Sequence, residues 1–347
     1  MNLWNISAFA AVMRLSPTVL WTALGIFLFL NIAFAIFSPI ATAYFIFRNT
    51  MVRKSRETWG RECSEPDPEQ ISMYETGLVW EEAHRSAKRE LHMVNEGLNL
   101  YAEYFDFGFD RAVIVIPGRT EGLCYGYYFA APYEKHGYNL LVIDQRAHGN
   151  SDGKYNCIGF DEHRDLLAWA KRLHDEYGVR SILLHGICIG SACGLYALTS
   201  EGCPDYLVGL VAEGMFPDFR ESYKNHMLEK KKPTFIIPLV EAWMKHYTGY
   251  TMRPGPIDYI GRYQKPFLML HGTADLYSTP EKARLIYQTA GSDASEKRIV
   301  WFEGGRHSRL RLMDRERYDG AVEAFLTEVI DRNDAIAVNA DSESAKK

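Results

Sequence analysis

The stretch Ser181-Ile182-Leu183-Leu184-His185-Gly186-Ile187-Cys188-Ile189-Gly190-Ser191-Ala192-Cys193-Gly194 decides the fold. Its opening apolar run predicts a buried strand, and the small residues from Ser191 to Leu198 predict a closely packed helix. A sharp turn must join them. Gly186 and Gly190, flanking Cys188, permit a strained backbone and let the helix approach the strand, so that the central side chain stands above the sheet. In isolation the turn also fits a buried structural thiol, because free cysteine is among the most buried residue types. The surrounding chain favours the exposed reading.

With 347 residues, 47% hydrophobic and 24% charged, the chain has room for one large α/β domain and an appendage. A net charge of −5 and a pI near 6.1 argue against a nucleic-acid partner. After an N-terminal segment (residues 1–18), no charged residue occurs between Arg14 and Arg48, and Val19 to Phe47 exceeds the roughly 20 residues that span a bilayer as a helix. Residues 19–47 are therefore expected to be a transmembrane anchor, kinked or shortened at Asn31, Ser38 and Pro39. Ala41-Thr42-Ala43 has the form of a signal-peptide cleavage site, but the apolar run is longer than the roughly 7 to 15 residues of a signal core. Arg48, Arg53, Lys54, Arg56 and Arg61 follow the span against Arg14 before it, which predicts a single-pass membrane protein with its main domain in the cytoplasm. The six cysteines lie at unpaired spacings that fit a reducing compartment. No ligand cluster suggests a metal or a redox cofactor, and none is expected.

Residues 48–90 read as a linker, punctuated by Pro66-Asp67-Pro68 and helical from about Glu69. The main domain covers 91–332 and opens with a hairpin, His92–Asn95 and Leu98–Phe105 about Gly97. Apolar runs follow at Ala112–Ile116, Asn139–Ile143, Ile182–Leu184, Leu207–Ala212, Phe267–Leu270 and Arg298–Phe302, separated by helical or loop sequence. That alternation predicts an α/β fold with a mostly parallel, doubly wound sheet. The insertion at about 215–259, rich in aromatics and methionines, reads either as helices extending the core or as a helical cap over a site. A cap is favoured because ligands in such folds bind at the carboxyl ends of the strands. Phe216 and Trp243 are then expected to touch the substrate. Residues 333–347 are expected to be a disordered tail.

A thiol nucleophile needs a base within reach and a third group to orient that base. Asp275 follows the run Phe267–Leu270, and His307 follows Arg298–Phe302, each just past the carboxyl end of a predicted strand. Separately, Asp275 could cap a helix near Pro280, and His307 is one of eleven histidines. Together with Cys188 they form the order nucleophile, acid, histidine. Glu213, after the next run, is a reserve acid.

From about Glu90 to Glu328 the chain resembles the α/β-hydrolase superfamily, in particular membrane-anchored bacterial hydrolases of the serine aminopeptidase-like and acylglycerol-lipase-like branch. The resemblance rests on Ile116-Pro117-Gly118-Arg119-Thr120-Glu121, on Asp144-Gln145-Arg146-Ala147-His148-Gly149-Asn150-Ser151, on the Cys188 turn, on His271-Gly272-Thr273-Ala274-Asp275 and on Gly305-Arg306-His307. It implies an oxyanion hole from the backbone N–H groups of Arg119 and Ile189, with Gly118 beside the substrate. Ala147 stands where the family has glycine, Pro117 where it usually has histidine, and Cys188 where it has serine. Cysteine at this turn also occurs in dienelactone hydrolases and polyhydroxyalkanoate synthases. A thiol ionises near pH 8.5, so a histidine can draw off its proton readily, but a thiolate leaves a tetrahedral centre more easily than an amine does. The expected chemistry is therefore hydrolysis of an acyl ester or thioester, on a small or lipid-like acyl substrate, rather than peptide cleavage. An acyltransferase using the same cysteine and a non-catalytic hydrolase-fold binding protein are the alternatives.

Overall fold

The computed structural model of the chain describes residues 17–63 and 67–333, so the expectations for residues 1–16 and for the tail from 334 onward lie outside the described residues. Helix α1 (Pro17–Met51) is a single 35-residue helix that continues through Asn31, Ser38 and Pro39. Asn31 turns its Nδ2 back onto the Phe27 carbonyl at 2.7 Å, so this polar side chain is satisfied without breaking the helix. The large apolar side chains from Val19 to Phe37 are exposed, whereas Ala43, Phe47 and Met51 are buried against the domain. A helix leaves its last carbonyls without internal partners. Here Arg119 Nη1 donates to Thr50 O and Asn156 N to Met51 O, each at 2.9 Å.

Helix α2 (Pro68–His84) is capped by Asp67, whose Oδ1 accepts from Glu69 N at 3.0 Å, with Pro68 in the first turn. Strands β1 (Lys88–Asn95) and β2 (Leu98–Phe105) form the expected hairpin, turning through Glu96 (φ 48°) and Gly97 (φ 79°). Two positive φ values in succession match the strand twist. Then follow β3 (Arg111–Ile116), β4 (Asn139–Asp144), α3 (Glu162–Tyr177), β5 (Ser181–Ile187), α4 (Ile189–Leu198) and β6 (Leu207–Glu213). The insertion supplies α5 (Phe219–Glu229) and α6 (Ile237–Thr248), and the chain closes with β7 (Phe267–Gly272), α7 (Pro280–Thr289), β8 (Lys297–Phe302) and α8 (Arg315–Phe325).

All eight strands form one sheet in the order β1-β2-β4-β3-β5-β6-β7-β8, antiparallel at β1/β2 and β2/β4 and parallel elsewhere. Alternate residues of β3 enter opposite cores: Ala112, Ile114 and Ile116 on one face, Val113 and Val115 on the other. This period of two, buried on both sides, explains why the strands read as unbroken apolar runs. The chain leaves β3 for β4 on one side and returns past it to β5 on the other. The loops after β3 and β5 therefore meet at a switch point, where such sheets place their ligand crevice.

Candidate active site

The β5–α4 turn is held by close packing. A Cβ on Gly186 would lie 2.4 Å from the Gly190 carbonyl carbon, and one on Gly190 would lie 2.1 Å from Ile116 O, so neither position admits a side chain. Between them Cys188 has φ 54° and ψ −112°, a strained conformation for a non-glycine residue, with its N–H donated to Glu213 O at 2.9 Å. The Ser191 hydroxyl ties the first helical turn to Gly186 O at 2.6 Å. These restraints leave the Cys188 side chain half-buried at the mouth of a cleft.

His307, on the loop after β8, lines the same cleft, and its Nδ1 lies 2.7 Å from Asp275 Oδ2 on the loop after β7. Asp275 is itself fixed, because its Oδ1 accepts from Tyr277 N at 2.8 Å and Ser278 N at 2.9 Å. Burial alone would lower the His307 pKa. The opposite charges of Asp275 and the Cys188 thiolate, with hydrogen bonds to both, outweigh it and raise the imidazole well above its usual value. Burial would likewise raise Asp275, but the charge and hydrogen bond of His307 hold it below the usual carboxylate range. Glu213 does not orient His307. It accepts from Tyr318 Oη at 2.8 Å and from Leu310 N at 3.2 Å, and burial pushes it up to about 7.

Ile189, directly after Cys188, is the first residue of α4, so its N–H has no partner within the helix. Across the switch point, the loop from Gly118 to Glu121 is pinned by an acid that the sequence reading quoted only as part of a motif. Glu121 Oε2 accepts from Gly118 N at 2.9 Å, and its Oε1 accepts from Gln70 Nε2 at 2.7 Å. The Gly118 N–H is thus committed to the loop, while Gly118 and Arg119 both line the cleft. Gln145 Nε2 donates to Pro117 O at 2.8 Å, and His148 Nε2 contacts Arg119 O at 2.7 Å, so the Asp144–Ser151 turn braces this loop from behind. In that turn Ala147 has φ 66°, which accounts for the glycine that the resembling family places there.

A family described as the alpha/beta hydrolase fold matches residues 111–248. Among solved structures, the Pyrococcus furiosus esterase Pf2001 superimposes with a TM-score of 0.59 at 21% identity, over 78% of this chain and 97% of its own. Est1E of Butyrivibrio proteoclasticus, solved with ferulic acid bound, gives 0.53 at 20% identity over 69% and 99%. This is an α/β-hydrolase-fold protein. The uncharacterized protein YqkD of Bacillus subtilis (strain 168) is 27% identical over 199 residues, 56% of this chain and 64% of that one, so the chain spans less than two thirds of this curated relative's length.

In this version of the α/β-hydrolase fold the cleft has a volume of about 320 Å³. Helix α5 contributes Phe219, Ser222, Tyr223 and His226 to one wall, with Lys230 just beyond. Asp67 and Gln70 contribute from the start of α2, so the segment expected to be a linker forms part of the site. Tyr277 packs edge-on against His307 with ring centroids 5.0 Å apart, and its hydroxyl donates to Glu229 Oε2 at 2.8 Å, joining the acid loop to α5. Burial, then the charges of Lys230 and Arg119, push His226 down to about 4.

Two expected substrate contacts need correction. Phe216 is buried in the cluster beneath α5 and does not line the cleft, and Trp243 faces α1, donating its Nε1 to Ile40 O at 3.1 Å and packing on Tyr44. The aromatic stripe of α6 seats the apolar helix instead of lining the cleft. The arginines around His307 are also committed to structure. Arg311 is buried on Asp319 at 2.6 Å, Arg309 pairs with Asp67 at 3.1 Å, and Arg306 pairs with Glu69.

Proposed function

We propose that this protein is a membrane-anchored acyl hydrolase that cleaves an ester or thioester through a covalent acyl-enzyme on Cys188. The observation that carries the reading is the Asp275–His307 hydrogen bond of 2.7 Å beside a cysteine held on a strained turn. Asp275 orients the imidazole. His307 takes the thiol proton, and the thiolate attacks the acyl carbon. The N–H groups of Ile189 and Arg119 stabilise the oxyanion, the strongest contribution such a site can make. His307 then protonates the departing alkoxide or thiolate and activates water to release the acid. An ester or thioester suits this nucleophile, because an amine leaves a tetrahedral centre less readily than Cys188 itself.

The anchor reading draws on the exposed apolar span of α1, whose best window has a mean hydropathy of 2.3, and on the burial of Ala43 and Phe47 at its far end. A cleaved signal would part the chain inside a helix that docks into the cap. The basic flank after the helix supports a hydrolase domain on the cytoplasmic side.

The catalytic part is tested by iodoacetamide labelling of Cys188 across pH. Because His307 holds its proton above the usual histidine range, the wild type is expected to label rapidly at neutral pH and His307→Ala only in alkaline solution. Labelling at the rate of an exposed model thiol, unchanged by the histidine substitution, contradicts the reading.

A further inference from the structure

Where α1 meets the domain lies a second cavity, of about 350 Å³, away from Cys188. Its wall comes from the end of α1 (Tyr44, Phe47, Arg48), from the loop between β4 and α3 (Lys154, Tyr155), from Tyr247 of α6 and from Lys54. No acidic side chain lines it. Arg53 also reaches it, but that guanidinium is spent on backbone carbonyls, including Ser151 O at 2.9 Å and Arg56 O at 3.0 Å. Among the described residues Arg48, Lys54 and Lys154 form no ion pair with a carboxylate, so three cations face one cavity uncompensated. The aromatic floor is ordered: Phe47 stacks on Tyr247 at 5.4 Å and 8°, Tyr155 on Tyr247 at 6.2 Å, and Lys154 Nζ sits 5.4 Å from the Tyr155 ring.

Its position suggests the ligand. Exposed large apolar side chains on α1 run from Val19 to Phe45, a stretch that at 1.5 Å per residue exceeds the roughly 30 Å of a bilayer core. A core ending near Phe45 puts Tyr44 and Trp243, which pack on each other, at the interface favoured by tryptophan and tyrosine, with Arg48 less than one turn beyond it in the headgroup layer. The cavity opens in that layer. We infer that it is a binding site for the headgroup of an anionic phospholipid, with Arg48, Lys54 and Lys154 on the phosphate and the tyrosines beside the glycerol. The inference rests on the membrane-anchor reading. A lipid there would brace α1 against α6 one turn from Thr50, whose carbonyl holds Arg119 and whose hydroxyl lies 3.4 Å from Tyr223 Oη in the cleft wall.

The test uses the full chain in vesicles of mixed phosphatidylglycerol and phosphatidylcholine, followed by mild detergent extraction and native mass spectrometry of retained lipid. Wild type is expected to retain phosphatidylglycerol over phosphatidylcholine, and Arg48→Gln/Lys154→Gln to lose about thirtyfold in that retention, each interfacial charge counting for roughly fivefold. Lys154→Glu, a loop substitution that spares the helix, is expected to lose at least as much, and Lys135→Gln/Lys171→Gln, with the same charge loss elsewhere, to lose nothing. Equal retention in all four proteins overturns the site, as does displacement of the lipid by an equal concentration of inorganic pyrophosphate, which would identify a soluble ligand. Carbonate extraction is read separately: release of wild type from the vesicles overturns the anchor reading itself, whereas resistance without lipid selectivity overturns only the headgroup site.

Discussion

At the scale of single residues, the proposed chemistry depends on how Cys188, His307 and Asp275 share charge. Asp275 touches the reaction only through the imidazole, which it orients with Oδ2 while Oδ1 holds the loop through Tyr277 N and Ser278 N. Asp275→Asn keeps the loop bonds but presents a neutral partner to His307. The rise in the His307 pKa that Asp275 causes is then expected to be lost. Hydrolysis of a thioester by Asp275→Asn is expected to fall about 10³- to 10⁴-fold in kcat with little change in KM. A loss of less than tenfold would show that Asp275 serves only the loop. The sign of the pH response follows from the same contacts: His307, raised by its partners, holds its proton past neutrality and loses it in alkaline solution, so the wild-type rate is expected to decline on the alkaline side.

At the scale of elements, Glu121 shows how the β3 loop is shaped. Its carboxylate gathers Gly118 N and Gln70 Nε2, so one acid links the loop that supplies the Arg119 N–H to the start of α2. Glu121→Ala frees the loop without touching Cys188 or His307. Ester turnover should drop about tenfold, part of what removal of an oxyanion donor costs, while iodoacetamide labelling at neutral pH stays at the wild-type rate. If labelling fell in parallel, Glu121 would act on the thiol pair instead. The strands and the Cys188 turn were legible because each strand is a continuous apolar run and the turn packs its two glycines against backbone. Asp275 and His307 were legible because each follows such a run directly. Glu121, Gln70 and Asp67 were not, since nothing local in Pro68–His84 says which end of the sheet that helix meets. Trp243 misled because an aromatic on a helix looks the same whether it faces a ligand or another helix, here α1, and Phe216 because an aromatic in the loop before α5 looks the same whether it faces the cleft or packs on Phe219.

At the scale of the whole molecule, two fully buried acids make stability depend on pH. Burial pushes Glu162 and Glu213 up to about 7, Glu162 despite backbone N–H bonds from Cys157 at 2.7 Å and Gly159 at 2.9 Å. An acid whose folded pKa lies above its unfolded value binds its proton preferentially in the native state. Its stabilisation is complete below the unfolded value and is lost as pH rises through about 7. Thermal unfolding in detergent should therefore move to lower temperature between about pH 5 and pH 8, and Glu213→Gln should recover on the order of 2 kcal/mol at the upper end. A flat wild-type profile would mean that both carboxylates are solvated in the native protein.

The same molecule must also build a covalent intermediate if the cysteine reading is right, and acid-quenched mass spectrometry after brief exposure to an acyl thioester reads that event directly. One acyl group is expected on the wild type, mapped by peptide analysis to Cys188 and absent from His307→Ala. Thioester hydrolysis persisting in Cys188→Ala, with no acyl group on Cys188 in the wild type, would contradict it.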